Sequence, residues 1–128
     1  MKKRILIVED QEDNRKVLRD LLTSAGYEPI EAVTGEEGLT LAETQRPDLI
    51  LMYIQLPGLD GYEATRRIKA NPALRGIPVI AVTSYALSGD DVKAREAGCD
   101  AYVTKPFSPR ALLATIREYL AAGERDNK

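Results

Sequence analysis

Two carboxylates stand side by side at Glu9-Asp10, directly after the apolar run Ile5-Leu6-Ile7-Val8. Other groups able to do chemistry also close or follow apolar runs: Tyr53-Ile54-Gln55, Thr83-Ser84 and Lys105-Pro106. Adjacent carboxylates repel, and a buried pair resists ionisation unless opposite charge lies near. Lys105 and a metal ion are the candidates for that charge. The chain has no histidine and one cysteine, Cys99, so a metal would be held by oxygen alone. Such a donor set points to a hard ion, and Mg²⁺ suits a site with few carboxylates and several retained waters. The same acids, with Glu12 and Asp13, also read as an ordinary acidic entrance to a helix starting near Asn14, where they favour the helix dipole. On the residues alone both readings stand.

At 128 residues, with 44% hydrophobic and 30% charged side chains, the chain has the size and mixture of one compact domain. Eighteen basic against twenty acidic residues leave a net charge of −2, which gives nucleic-acid phosphates nothing to grip. The absence of histidine excludes imidazole chemistry. A lone Cys99 forms no internal disulfide and reads as a small buried side chain in a reducing cytoplasm. The apolar run after Met1-Lys2-Lys3-Arg4 is too short for a signal peptide, and no run approaches the roughly 18 apolar residues of a membrane span. A cytoplasmic protein is expected, with residues 1–123 as the domain, 124–128 as a short tail and no output domain.

These groups need a scaffold that brings distant strand ends together. Four runs, Ile5 to Val8, Leu49 to Ile54, Pro78 to Val82 and Ala101 to Thr104, are mostly apolar on both faces, as in parallel sheets covered by helices on each side. A weaker fifth run, Glu28 to Val33, reads as a strand nearer the edge. Helical stripes lie between, clearest at Val17, Leu18, Leu21, Leu22 and Ala25 and at Leu112, Leu113, Ile116 and Leu120. Thr34 through Glu37 fits a capping box, Asp60 precedes Glu63 at the same spacing, and Ser108-Pro109 supplies an N-cap with proline at N1. Gly26, Gly98 and Gly123 are placed to stop helices. About five alternations with right-handed crossovers predict a doubly wound α/β fold, (βα)5, with strand order 2-1-3-4-5. Ligands of such sheets bind beyond the carboxyl ends of the strands, where the winding reverses.

The stretches Ile5 to Asp10, Pro47 to Met52, Leu56 to Gly61, Ala81 to Ser84 and Ala101 to Pro106 closely resemble bacterial two-component response-regulator receiver domains of the stand-alone, CheY-like kind, from about Arg4 to Leu120. The resemblance implies a flavodoxin-like fold and a role for each matching position. Asp10, assisted by Glu9, would bind Mg²⁺ together with the backbone carbonyl of Gln55. Thr83 would hydrogen-bond a phosphoryl oxygen, and Lys105 would pair with the acids or with that phosphoryl group. Lys105-Pro106 resembles the family's cis peptide. Tyr102 would be the rotating aromatic coupled to Thr83 in a two-state switch.

The departure is at position 53. The family carries there the aspartate that takes a phosphoryl group from phosphohistidine, and this chain has Tyr53. Carboxylates are ionised at neutral pH, whereas a phenol with a reference value of about 10 is protonated. Tyr53 is therefore expected to be a poor nucleophile and metal ligand, its ring filling space meant for metal or phosphate and covering Asp10. Mg²⁺ binding is expected to be weak or absent, with Lys105 freer to pair with the acids. Two histories fit, an atypical receiver that signals without Asp phosphorylation or a typical receiver whose acceptor was replaced, naturally or deliberately, and the intact remainder of the pocket favours a recent or engineered replacement. The resulting expectation is a phosphorelay module, not an enzyme, that docks on a histidine kinase or histidine phosphotransfer protein as a monomer or weak dimer. Its surface would include Asn14, Val17 and Leu18 with the Leu56 to Asp60 loop, and Tyr85, Tyr102 and Phe107 would lie near the output face. Two other classes are set against it. A Mg²⁺-dependent phosphohydrolase using Asp10 would want an aspartate where Glu12 stands, and a nucleotide- or flavin-binding flavodoxin-like domain would want a phosphate cradle where Glu9 to Asp13 would repel it.

Overall fold

The computed structural model describes residues 2–83, 90–105 and 107–126, with side chains 90, 91 and 122–126 left aside. Within them, five parallel strands alternate with five helices: β1 (Arg4–Val8), α1 (Glu12–Ser24), β2 (Glu28–Ala32), α2 (Gly35–Gln45), β3 (Leu49–Tyr53), α3 (Gly61–Ala70), β4 (Val79–Thr83), α4 (Asp90–Ala97), β5 (Ala101–Thr104) and α5 (Pro109–Asp126). The sheet order is β2-β1-β3-β4-β5, the doubly wound arrangement expected from the alternation. Ser84, Tyr85 and Pro106, each given a role by sequence, lie outside the described residues, as do residues 127–128.

The period of two along each strand divides the core between two layers. Ile5 and Ile7 of β1 and Leu49 and Leu51 of β3 pack with Leu18 and Leu22 of α1 and with Leu112 and Ile116 of α5. Leu6, Val8, Ile50 and Met52 face the other way, onto Ala42 of α2 and Ala64 and Ile68 of α3. That is why the central runs show no polar alternation. The edge strands differ, since all four residues of β5 are only partly buried and β2 begins exposed at Glu28.

Local signals fix most boundaries. The Thr34 side chain accepts from the Glu37 N–H at 3.0 Å, while the Glu37 carboxylate reaches one residue further back than in an ideal capping box, to the Val33 N–H at 2.8 Å. Asp60 caps α3 through the Glu63 N–H at 2.9 Å. Gly98 takes a φ of +102° just after α4, a conformation that costs residues with a Cβ. Three expectations are corrected. Helix α1 starts at Glu12 rather than near Asn14, because the acidic residues form its first turn. Helix α5 runs through Gly123 to Asp126, three residues past the expected stop and into the expected tail. Val17 and Ala25 do not join the buried stripe of α1, for Leu18 and Leu22 alone are fully buried there and Val17 is 59% exposed.

Helix α3 meets the end of β3 at close quarters. A Cβ built on Gly61 would lie 2.2 Å from the Tyr53 carbonyl oxygen and 2.8 Å from the Ile54 Cα, both main-chain atoms that cannot swing aside. Gly61→Ala is expected to destabilise the fold by about 1–3 kcal/mol and lower Tm by roughly 3–12 °C. A thermal melt checks this, and an unchanged Tm would show that the α3 contact is looser than described.

Candidate functional site

Strand register gathers the candidate residues. Val8 of β1 pairs with both Ala32 and Met52, Tyr53 with Val82, and Thr83 with Thr104. The ladders continue one step past the strands: the Glu9 N–H donates to the Ala32 carbonyl at 3.0 Å, Ile54 to Val82 at 3.0 Å and Lys105 to Thr83 at 2.8 Å. Glu9, Tyr53, Thr83 and Lys105 therefore sit on one rim, held by main-chain bonds rather than by mobile loops.

Glu9 is fully buried. One carboxylate oxygen, Oε2, accepts from the Gln11 N–H at 3.1 Å, and the other, Oε1, has no hydrogen-bond partner among the described residues. Burial pushes this carboxyl above its ordinary value of 4.5, and Asp10 pushes it the same way, while the Gln11 N–H and the charge of Lys105 pull it down. The Lys105 Nζ lies 3.8 Å from Glu9 Oε1, an ion pair without a hydrogen bond. The same nitrogen stands 4.3 Å from the centroid of the Tyr53 ring. That distance is within the range of cation–π attraction, worth about 1 kcal/mol. Tyr53 is 5% exposed and counts among the apolar cluster of Met52, Leu56, Ala64 and Val82. Asp10 keeps partial exposure.

Thr83 is fully buried, and its hydroxyl accepts from Gln55 Nε2 at 2.6 Å. Sequence reasoning gave Gln55 only a backbone role, so the side-chain contact is new. Arg15 was missed altogether. Its Nη1 donates to the Glu9 carbonyl at 2.9 Å, and it pairs with Glu12 and, at 3.4 Å, with Glu31. The turn carrying both acids is thus tied to α1 and β2. The spacing of Glu12, Arg15 and Arg19 on one helix face was the available signal.

Tyr102 is partly buried against Ile54, Ala81 and Ala94. It borders a cavity of about 270 Å³ that also touches Cys99 and Arg95. Phe107 is not grouped with Tyr102. With Asn14, Val17, Leu18, Lys105 and Pro109 it lines a groove of about 230 Å³ between α1 and the start of α5. Phe107 thus lines a groove that runs from Lys105 on the rim to α1. Cys99 is half-buried, and burial raises its thiol above the ordinary value.

Among the described residues, no group of three or more His, Cys, Asp or Glu could hold a metal ion, and no helix is long and apolar enough to cross a membrane. Glu9 and Asp10 are a pair without a third acid, next to a lysine.

A doubly wound five-strand parallel sheet with an acidic pair, a hydroxyl and a lysine on one rim defines the CheY-like class of the flavodoxin-like fold. The profile of the response regulator receiver domain matches residues 5–117, and the chain belongs to that family of signalling domains. It is 50% identical over 120 residues to the polar-differentiation response regulator DivK of Brucella anthropi, covering 94% of this chain and 98% of that one. A CheY-like receiver domain protein from Methanospirillum hungatei superimposes with a TM-score of 0.91 at 36% identity, over 98% of this chain and 99% of the other. The receiver domain of a sensor histidine kinase from Pseudomonas aeruginosa, solved with magnesium coordinated in its active-site cleft, gives 0.88 at 39% identity, over 94% and 99%.

The raised carboxyl of Glu9 has a pH consequence of definite sign. The folded state holds the proton more tightly than the unfolded chain, so this group's contribution to stability is full below its ordinary value and is lost as pH rises through the higher folded one. Burial chiefly sets that interval, with Asp10 widening it and the Gln11 N–H and the charge of Lys105 narrowing it. Glu9→Gln, which keeps the shape and removes the charge, is expected to raise Tm at about pH 7 and leave it nearly unchanged at about pH 4. Melts at the two pH values decide it, and an equal shift at both would remove the linkage.

Proposed function

We propose that this receiver serves a phosphorelay by docking on a sensor histidine kinase or histidine phosphotransfer protein in the cytoplasm, without taking up a phosphoryl group at position 53. The observation that carries the reading is the buried Tyr53 ring at the carboxyl end of β3 with the Lys105 ammonium over its face. Receivers present an aspartate there as the attacking oxygen. A protonated phenol is a weaker nucleophile, and its oxygen projects several bonds beyond the position an aspartate oxygen reaches, so in-line transfer loses both reactivity and alignment. Thr83 and Lys105 keep the phosphoryl-binding roles of the family in type and position, and Tyr102 keeps the place of the switch aromatic.

Mg²⁺ would be held in this family's site by Glu9, Asp10 and the Gln55 carbonyl, where it supplies charge neutralisation during transfer. The residues present fit it poorly. Position 53 contributes no anion, and one oxygen of Glu9 already accepts a main-chain N–H while the other faces Lys105. Metal binding is therefore weakened.

Docking falls to the groove beside the rim. Val17 is exposed, and it lines the groove with Leu18, Phe107 and Pro109 next to Lys105, so an amphipathic helix laid there would bury apolar surface beside position 53. Asn14 supplies a polar edge.

Two outcomes are expected. Incubation with a ³²P-labelled cognate kinase leaves this chain without acid-stable, alkali-labile label, and Tyr53→Asp restores it. Label on the unaltered chain would overturn the reading. Val17→Asp is expected to weaken binding to the same partner at least about tenfold while Tm stays within about 2 °C, because the residue is an exposed interface anchor and not core. Calorimetric titration measures it, and undiminished affinity would move the docking face elsewhere.

A further inference from the structure

The rim holds a cation of its own. The Lys105 ammonium lies 3.8 Å from Glu9 Oε1 and 4.3 Å from the Tyr53 ring centroid, between a buried carboxylate and an aromatic face. Both attract positive charge, the first by its formal charge and the second by the negative face of its quadrupole. Lys105 is only 22% exposed, so water screens this arrangement weakly. Glu9 offers little else to an incoming ion, for Oε2 accepts from the Gln11 N–H and Oε1 faces the ammonium.

We infer that Lys105, seated on the face of Tyr53, is the resident counter-ion of Glu9, so that of the acidic pair only Asp10 is left unbalanced and the pocket does not respond to divalent cations. The inference rests on reading this rim as a receiver pocket and adds how its cation response is set. A hydrated divalent ion approaching Asp10 meets a fixed positive charge and one fewer anion than an aspartate at position 53 would give. The aromatic face attracts a weakly hydrated ammonium, whereas Mg²⁺ keeps its waters and gains nothing from it. Position 53 then acts through its ring: Tyr53→Phe keeps the seat, and Tyr53→Leu abolishes it.

The test uses the full chain with MgCl2 as the probe. Mg²⁺ is titrated calorimetrically, and Tm is read with and without it. The unaltered chain and Tyr53→Phe are expected to show no binding up to millimolar Mg²⁺ and no shift in Tm. Lys105→Met is expected to bind at least tenfold more tightly and to gain about 5 °C at a tenfold excess over its Kd. Binding by the unaltered chain as tight as by Lys105→Met would overturn the inference, as would silence in both. Should Lys105→Met fail to fold, the unaltered chain still decides. NMR is expected to find the Lys105 ε-methylene protons shifted upfield by the Tyr53 ring current, unchanged by Mg²⁺ and lost in Tyr53→Leu. Ordinary shifts in the unaltered chain would refute the seat. The two proposals fail separately: phosphoryl label on residue 53 would sink the function while leaving the ring-current shift in place, and a Mg²⁺ response would sink the counter-ion while transfer stays absent.

Discussion

A carboxylate buried without a full set of hydrogen bonds must be answered by charge, and that constraint organises the rim. Glu9 has no exposed surface, and one of its oxygens has no hydrogen-bond partner among the described residues. Desolvating an ion costs several kcal/mol even after relaxation, and an attraction at short range offsets the cost only if the partner is held in place. The fold holds it through main-chain bonds. Lys105 follows β5 directly, its N–H bonded to the Thr83 carbonyl, and Glu9 follows β1, its N–H bonded to the Ala32 carbonyl. The electrostatics at the rim are thus inherited from sheet register, and a slip of one residue in either edge pairing would turn the charged side chains away from one another.

The support extends one layer outward. Arg15 reaches from α1 to the Glu9 carbonyl and pairs with Glu31 on β2, while Arg19 contacts the same glutamate at 2.9 Å. These bonds stiffen the acidic turn from the side opposite Lys105. The partly exposed pairs contribute little to stability one by one. Their effect is to limit where Glu9 and Asp10 can go, which matters more for an ion site than the small energies suggest.

The parts of this arrangement legible in the sequence were those carried by periodicity and by residue type. Unbroken apolar runs disclosed a sheet covered on both sides, and the edge character of Glu28 to Ala32 showed in its mixed composition. The acids, Thr83 and Lys105 were legible because all four close or follow such runs. What escaped depended on side-chain reach across elements. Nothing local indicates that the Gln55 amide turns to Thr83, or that Arg15 reaches back six residues to a carbonyl. Val17 was grouped with the core because helical spacing alone does not tell the edge of an apolar stripe from its centre. Gly123 failed as a stop signal because its flanking residues still continue α5, and a glycine within a helix costs only about 1 kcal/mol.

Position 53 joins these threads. An aspartate there would add a third negative charge to a rim that offers one lysine, and such a site needs an outside cation to settle it. A tyrosine removes the charge, supplies an aromatic face to the lysine and buries its ring in a cluster already apolar at Met52, Leu56 and Val82. A tyrosine is therefore compatible with the fold for the same reason that, on the proposed reading, it would silence the chemistry. Among the described residues, the groove that would meet a partner borrows Lys105 from the rim, its other walls coming from α1, Phe107 and the start of α5. On the proposed reading, recognition and group transfer would rest on different elements, so a chain could lose the second while keeping the surface for the first.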